Sequence, residues 1–82
     1  MWYVYILRCK DASLYTGITT NTETRLQRHN RGKGAKYTRA RRPVKLVYVE
    51  KFKTKNQALS REIEIKSFST ENKERLIKFG LG

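Results

Sequence analysis

The segment that most limits what this chain can fold into lies at its start. Residues 2–9, Trp-Tyr-Val-Tyr-Ile-Leu-Arg-Cys, are dominated by β-branched and aromatic residues and carry apolar groups on both faces. Such a run is a strand. Lys10-Asp11-Ala12-Ser13 reads as a turn, and Leu-Tyr-Thr-Gly-Ile-Thr-Thr at 14–20 as a second strand, which makes the first 20 residues a β-hairpin. Gly17 weakens the second strand unless another group approaches closely there.

After the hairpin the pattern turns helical. Thr20 followed by Glu23 fits a capping box, so a helix begins near Asn21, runs through Arg25, Leu26, Arg28 and His29, and stops at Gly32. Residues 31–43 form a basic loop, Arg-Gly-Lys-Gly-Ala-Lys-Tyr-Thr-Arg-Ala-Arg-Arg-Pro. Pro43 closes it and opens a third strand over 44–52. Thr54 with Gln57 is another capping box, for a helix reaching about Phe68, and Thr70 caps a last short helix through Lys78 that ends at Gly80. The order β-β-α-β-α-α, with no repeat and no linker, predicts one α+β domain: a three-stranded antiparallel sheet flanked by helices.

At 82 residues the core is thin, and a shallow surface site is expected rather than a deep cofactor pocket. Nineteen Lys and Arg against seven Asp and Glu give a net charge of +12. Self-repulsion of that size costs stability, and a polyanionic partner is the natural reason to carry it. Charge alone does not separate DNA from ribosomal RNA, a membrane surface or a solubility device. One cysteine, Cys9, excludes a disulfide framework, and one histidine, His29, excludes His-cluster zinc chemistry. The apolar start is too short for a signal peptide or a spanning helix, so the chain is expected to be cytoplasmic, with no membrane partner.

One carboxylate falls where none belongs. On a wheel with Ala58 at zero, Leu59 lies at roughly 100°, Ile63 at roughly 140° and Ile65 at roughly −20°, the expected buried stripe. Glu62 falls at about 40°, within the stripe, while Glu64 falls at about 240°, facing water. A carboxylate on an apolar stripe costs several kcal/mol unless it is paired or holds a cation. Glu62 therefore either pairs with Lys66 one turn on or has a metal-binding or catalytic role.

The polar residues of the other elements also fall in an order. Tyr3, Tyr5 and Tyr15 lie on the hairpin, and Arg25 and His29 stand four apart on one face of the next helix. With Glu62, this ordered set resembles the GIY-YIG nucleases, most of all their small stand-alone members. Tyr3-Val4-Tyr5 corresponds to the first family motif and Tyr15-Thr16-Gly17 to the second, neither literally, but each keeps its functional tyrosine. Gly34-Ala35-Lys36-Tyr37-Thr38 matches a loop of the stand-alone members, Arg61-Glu62 matches the helix that supplies the metal-binding glutamate, and Asn72 loosely matches a family asparagine.

The resemblance implies an endonuclease acting on DNA phosphodiester bonds, with RNA as the other candidate substrate. It implies catalytic roles for Tyr5, Tyr15, Arg25, His29 and Glu62. Glu62 would hold one Mg²⁺ or Mn²⁺ that keeps most of its waters, since a two-metal site would want several acidic residues. Tyr5 is then the candidate general base or its relay, helped by Arg25 and the metal, and His29 orients a tyrosine or shuttles a proton. Tyr15 positions phosphate or water, Gly17 lets backbone approach, and Tyr37 closes over substrate. Lys33, Lys36, Arg39, Arg41 and Arg42 contact phosphates, which brings affinity without sequence preference. Weak specificity, or a protein partner that supplies it, follows from the lack of a second recognition domain. A nucleic-acid-binding module without chemistry is the alternative.

Shared use of Tyr5 and Tyr15 sets a geometric condition. They project from one face only if the numbers of paired residues sum to an even value, and a two-residue turn at Asp11-Ala12 would pair Lys10 with Ser13, an odd sum. A three- or five-residue connection, or a bulge, is therefore expected, with both tyrosines on the side bearing Arg25.

Overall fold

The computed structural model describes residues 1–80. Strands β1 (Trp2–Arg8), β2 (Leu14–Thr19) and β3 (Lys45–Phe52) form one antiparallel sheet in the order β2-β1-β3. The helices are α1 (Thr22–Asn30), α2 (Lys36–Arg39), α3 (Lys55–Lys66) and α4 (Thr70–Phe79). The expected order holds, with the four-residue α2 added inside the basic stretch 31–43. The β-branched and aromatic run at the start is the central strand, which is why it is apolar on both faces: Val4, Ile6 and Leu7 are fully buried.

The two faces have different coverings. Val4 and Ile6 pack with Ala58 and Ile65 of α3 and with Phe68, Leu76 and Ile77. Tyr5, Leu7 and Cys9, of opposite parity, pack with Val44, Leu46, Tyr15 and Leu26 of α1. Both faces are thus closed by helices, and the candidate site lies on the α1 side.

The hairpin meets the parity condition. Tyr5 pairs with Gly17 and Leu7 with Tyr15, so the paired numbers sum to 22 and Tyr5, Leu7 and Tyr15 share a face. Cys9 N–H donates to Ser13 C=O at 2.8 Å and Ala12 N–H to Cys9 C=O at 2.9 Å, leaving a three-residue loop closed by Ala12 at φ 72°. A turn followed by one left-handed residue is a common solution for odd hairpin loops.

Several helix ends differ from expectation. Asn21, not Thr20, caps α1, because its side chain accepts from Thr24 N–H at 2.9 Å, while Thr19 and Asn21 bond each other just before it. Gly32, at φ 78°, ends α1 as expected: its N–H reaches His29 C=O, and that of Lys33 reaches Arg28 C=O. Thr54 and Gln57 form the expected capping box, but α3 stops at Lys66 and Ser69 rather than Thr70 caps α4. On α3, Ala58 and Ile65 are buried, and Ile63 is 67% exposed against expectation. At roughly 140° on the wheel Ile63 lies beyond the edge of the sheet contact, and the stripe centres nearer Glu62.

A buried ion pair fixes the roll of α3. Glu50 of β3, paired with Val4, is 7% exposed and takes a hydrogen bond from Tyr48 O–H. Arg61 Nε and Nη2 reach it at 3.1 and 3.0 Å, and Arg61 also binds the exposed Glu64. With Arg61 held toward β3, its neighbour Glu62 is turned toward β2. Leaving either buried partner alone costs several kcal/mol, so the pair acts on helix orientation as much as on stability.

A left-handed conformation costs an alanine about 1–2 kcal/mol. Replacing Ala12 by glycine is therefore expected to raise thermal stability by about 0.5–1 kcal/mol after glycine's entropy penalty. Denaturant melts of the two proteins check this, and a destabilised variant would contradict the assigned turn.

Candidate active site

Tyr5 is 2% exposed, so its hydroxyl must find a partner within the protein. It does so by crossing β2 at the one position that has no side chain. A Cβ on Gly17 would lie 2.6 Å from the Tyr5 hydroxyl oxygen and 2.7 Å from Cζ. The group that approaches Gly17 is thus the Tyr5 phenol. The strand-weakening glycine has a local cause.

The phenol meets His29. Tyr5 O–H and His29 Nε2 are 2.9 Å apart, and His29 Nδ1 lies 2.8 Å from Thr38 Oγ1. The Thr38 hydroxyl spends its one proton on Ala35 C=O, at 2.9 Å. Thr38 must then accept from Nδ1–H, which leaves Nε2 bare to accept the Tyr5 proton. The Ala35 amide reaches Nδ1 only at 3.4 Å, too long to compete. The line Tyr5, His29, Thr38, Ala35 C=O satisfies every member in one direction. His29 and Thr38 are 1% and 0% exposed.

Burial, and then the positive charge of Arg25, pushes the His29 pKa down, so the ring is neutral at physiological pH. Tyr5 is pushed up well beyond the ordinary phenol range, chiefly by burial and then by Tyr15; Arg25 opposes this and Glu62 adds to it. Arg25 and Glu62 therefore both lie within electrostatic reach of the Tyr5 hydroxyl, Arg25 from α1 and Glu62 from α3.

Tyr15 completes the aromatic wall, with its ring centre 6.4 Å from Tyr5, 5.3 Å from His29 and 6.0 Å from the stacked ring of Tyr37. The Arg41 guanidinium lies 4.0 Å over Tyr37, donates to Tyr37 C=O at 2.8 Å and pairs with Asp11 at 3.1 Å. This ties α2 to the hairpin loop. Arg42 donates to Arg39 C=O at 2.8 Å and lies across Gly32. These two arginines brace the basic segment, whereas Lys33, Lys36 and Arg39 are exposed with no ion-pair partner among the described residues.

The Glu62 side chain is only 15% exposed, and its carboxylate lies 3.5 Å from the Lys66 ammonium. Both readings left open by the wheel meet here: the carboxylate sits in the stripe, and a half-exposed cation stands beside it. Among the described residues no group of three or more His, Cys, Asp or Glu could hold a metal. The donor set fits one hydrated divalent ion on a single carboxylate, and does not fit a caged or two-metal site.

Two participants escaped sequence reasoning. Thr38 was visible only as part of a loop match, with no signal of its relay position. Gly34 carries a stronger requirement than Gly32: a Cβ there would lie 2.3 Å from His29 Nδ1 and 2.7 Å from its Cγ. Asn72 is exposed on α4, where its backbone N–H caps onto Ser69, and it does not join this group.

Gly17→Ala and Gly34→Ala are each expected to destabilise the fold by about 1–3 kcal/mol, because the phenol and imidazole they strike are held at both ends. Gly80→Ala, which meets nothing within 4 Å, is strained only by its φ of 69° and should leave the His29 environment unmoved. Histidine NMR shifts of the three variants check this, and an unperturbed His29 in Gly34→Ala would refute the packing.

The GIY-YIG catalytic domain family matches residues 1–75. A UPF0213 protein of Staphylococcus haemolyticus is 60% identical over 76 residues, 93% of each chain, and one of Staphylococcus saprophyticus is 58% identical over 78 residues, 95% of each. The solution NMR structure of the UPF0213 protein of Bacillus halodurans has a TM-score of 0.64 at 48% identity, covering 100% of this chain and 88% of that one. A solution NMR structure from E. faecalis has a TM-score of 0.62 at 41% identity, covering 98% and 86%. The chain belongs to the GIY-YIG nuclease family.

Proposed function

We propose that this chain is a divalent-metal-dependent endonuclease that hydrolyses DNA phosphodiester bonds with little sequence specificity. The observation that carries this reading is the one-directional line from Tyr5 through His29 and Thr38, whose Tyr5 end lies within electrostatic reach of Glu62, a carboxylate set in an apolar stripe. A purely structural tyrosine would need one partner. It would not need a buried neutral imidazole whose far nitrogen is itself fixed.

Hydrolysis needs an activated water, neutralised phosphate charge and a helped leaving oxygen. Tyr5 is a phenol at neutral pH, so it serves as a relay: its oxygen takes a proton from water while its own proton passes to His29 Nε2. Thr38 fixes the receiving tautomer. The Arg25 guanidinium offers a planar fork to the phosphate oxygens as charge develops. One Mg²⁺ or Mn²⁺ held by Glu62 would neutralise the phosphate and make water more acidic, with Lys66 releasing the carboxylate to it. Lys33, Lys36 and Arg39 supply backbone contacts that carry no base preference.

The proton must enter a neutral imidazole, so activity should rise with pH as His29 loses its proton and then level off. Because burial and Arg25 lower that pKa, the rise should be centred below the ordinary histidine range. A plasmid-nicking assay in Mn²⁺ across pH checks this, and a rise centred near the phenol range, about pH 10, would contradict the His29 role. Glu62→Gln is expected to lower cleavage by at least about a hundredfold while DNA binding stays nearly intact, and Glu64→Gln to be near neutral. Near wild-type nicking by Glu62→Gln would rule the mechanism out.

A further inference from the structure

The edge of β2 opens into a groove of about 350 Å³ lined by Leu14, Tyr15, Thr16, Tyr37, Lys66 and Lys73. It joins elements from both faces of the sheet: α2 on one side, and α3 and α4 on the other. No carboxylate lines it. Its two ends belong to the candidate site, since Tyr15 packs on Tyr5 and His29, and Lys66 pairs with Glu62.

In two other grooves of the fold, arginines are held by internal partners. Arg61 and Arg75, which line one beside Phe68, are paired with Glu50, Glu64 and Glu71. Arg42, in another beside Pro43, donates to backbone carbonyls. Lys73 is half-buried and has no ion-pair partner among the described residues. The Thr16 hydroxyl, in the floor, is buried and likewise has no partner among them. A half-buried lysine without an ion-pair partner, facing a groove that a second lysine also lines, is a position that an anion would stabilise.

We infer that this groove holds one sugar-phosphate unit of the strand that crosses the candidate site, with Lys73 and Lys66 on its phosphate. The ligand is one strand of DNA read by its backbone. Tyr15 is stacked on Tyr37, and Tyr37 lies under Arg41, so the rings present no free pair of faces between which a base would insert. The groove therefore fixes the path of the strand across β2 without reading sequence. It extends the binding surface to the side of the sheet opposite the basic segment 31–43. The inference rests on the nuclease reading only in taking the strand to be DNA.

The test is binding of a short 5′-fluorescein-labelled single DNA strand of mixed sequence, followed by anisotropy in EDTA over a range of salt. Lys73→Met should weaken binding about fivefold near 0.1 M salt and lower the slope of log K against log salt by about 0.7, one single-strand phosphate contact. Lys73→Arg should restore the slope. Lys78→Met removes the same charge from the exposed side of α4 and should stay within about twofold of the parent. Equal losses in Lys73→Met and Lys78→Met, or a parent that does not bind the strand, overturn the groove. Tighter binding of an RNA strand of the same sequence overturns its assignment to DNA. Plasmid nicking by the parent is scored separately. Lys73-specific loss of binding without nicking sinks the nuclease reading alone, and nicking with Lys73→Met matching Lys78→Met sinks the groove alone.

Discussion

Tyr5 sits in the central strand with its ring buried, and a buried phenol must have its hydroxyl satisfied inside the protein. The nearest side-chain position in its path belongs to the edge strand. β2 gives up that side chain at Gly17, and the phenol passes over the bare backbone to His29. Everything around the site follows from keeping those two rings apart by one hydrogen bond. The odd hairpin loop sets the parity that puts Gly17 opposite Tyr5 and Tyr15 beside it. Gly34 lets the segment before α2 close over the imidazole, and Thr38 arrives one helical turn later to fix its far nitrogen.

The other half of the site comes from the opposite side of the sheet. α3 packs on Val4 and Ile6, yet Glu62 reaches the electrostatic neighbourhood of Tyr5. The Arg61–Glu50 pair makes this possible, since it turns one face of α3 toward β3 and leaves the next residue pointing to the β2 edge. Such a buried pair is weak as a source of net stability and strong as a selector of one orientation. The charge surplus is distributed accordingly. Arg41, Arg42 and Arg61 hold the scaffold together, while Lys33, Lys36 and Arg39 are exposed with no ion-pair partner among the described residues.

The sequence was legible where a residue's role depends on its near neighbours. Alternation gave the hairpin, the Thr54–Gln57 box gave the start of α3, and the wheel put Glu62 on the buried stripe. Ile63 was misplaced because the wheel knows angle but not where the sheet ends. That Arg41 and Arg42 also bond within the fold, to Asp11 thirty residues away and to the carbonyls of Arg39 and Asn30, is something nothing local in the sequence shows. Glu50 with Arg61, and His29 with Thr38, are likewise pairs between elements, which no periodicity reveals. The ordered resemblance supplied Tyr5, His29 and Glu62 together; Thr38 became visible only when α2 laid its hydroxyl on the imidazole.

The central claim is a direction of proton donation, from Tyr5 into His29 and from His29 into Thr38. His29 is the only histidine, so ¹⁵N-labelled histidine gives a single pair of ring nitrogens to follow. At neutral pH the account predicts a neutral ring with the proton on Nδ1 and a bare Nε2, and loss of that tautomer preference in Thr38→Val. A ring protonated on Nε2, or an imidazolium at neutral pH, would mean that Tyr5 accepts rather than donates, and would contradict the relay.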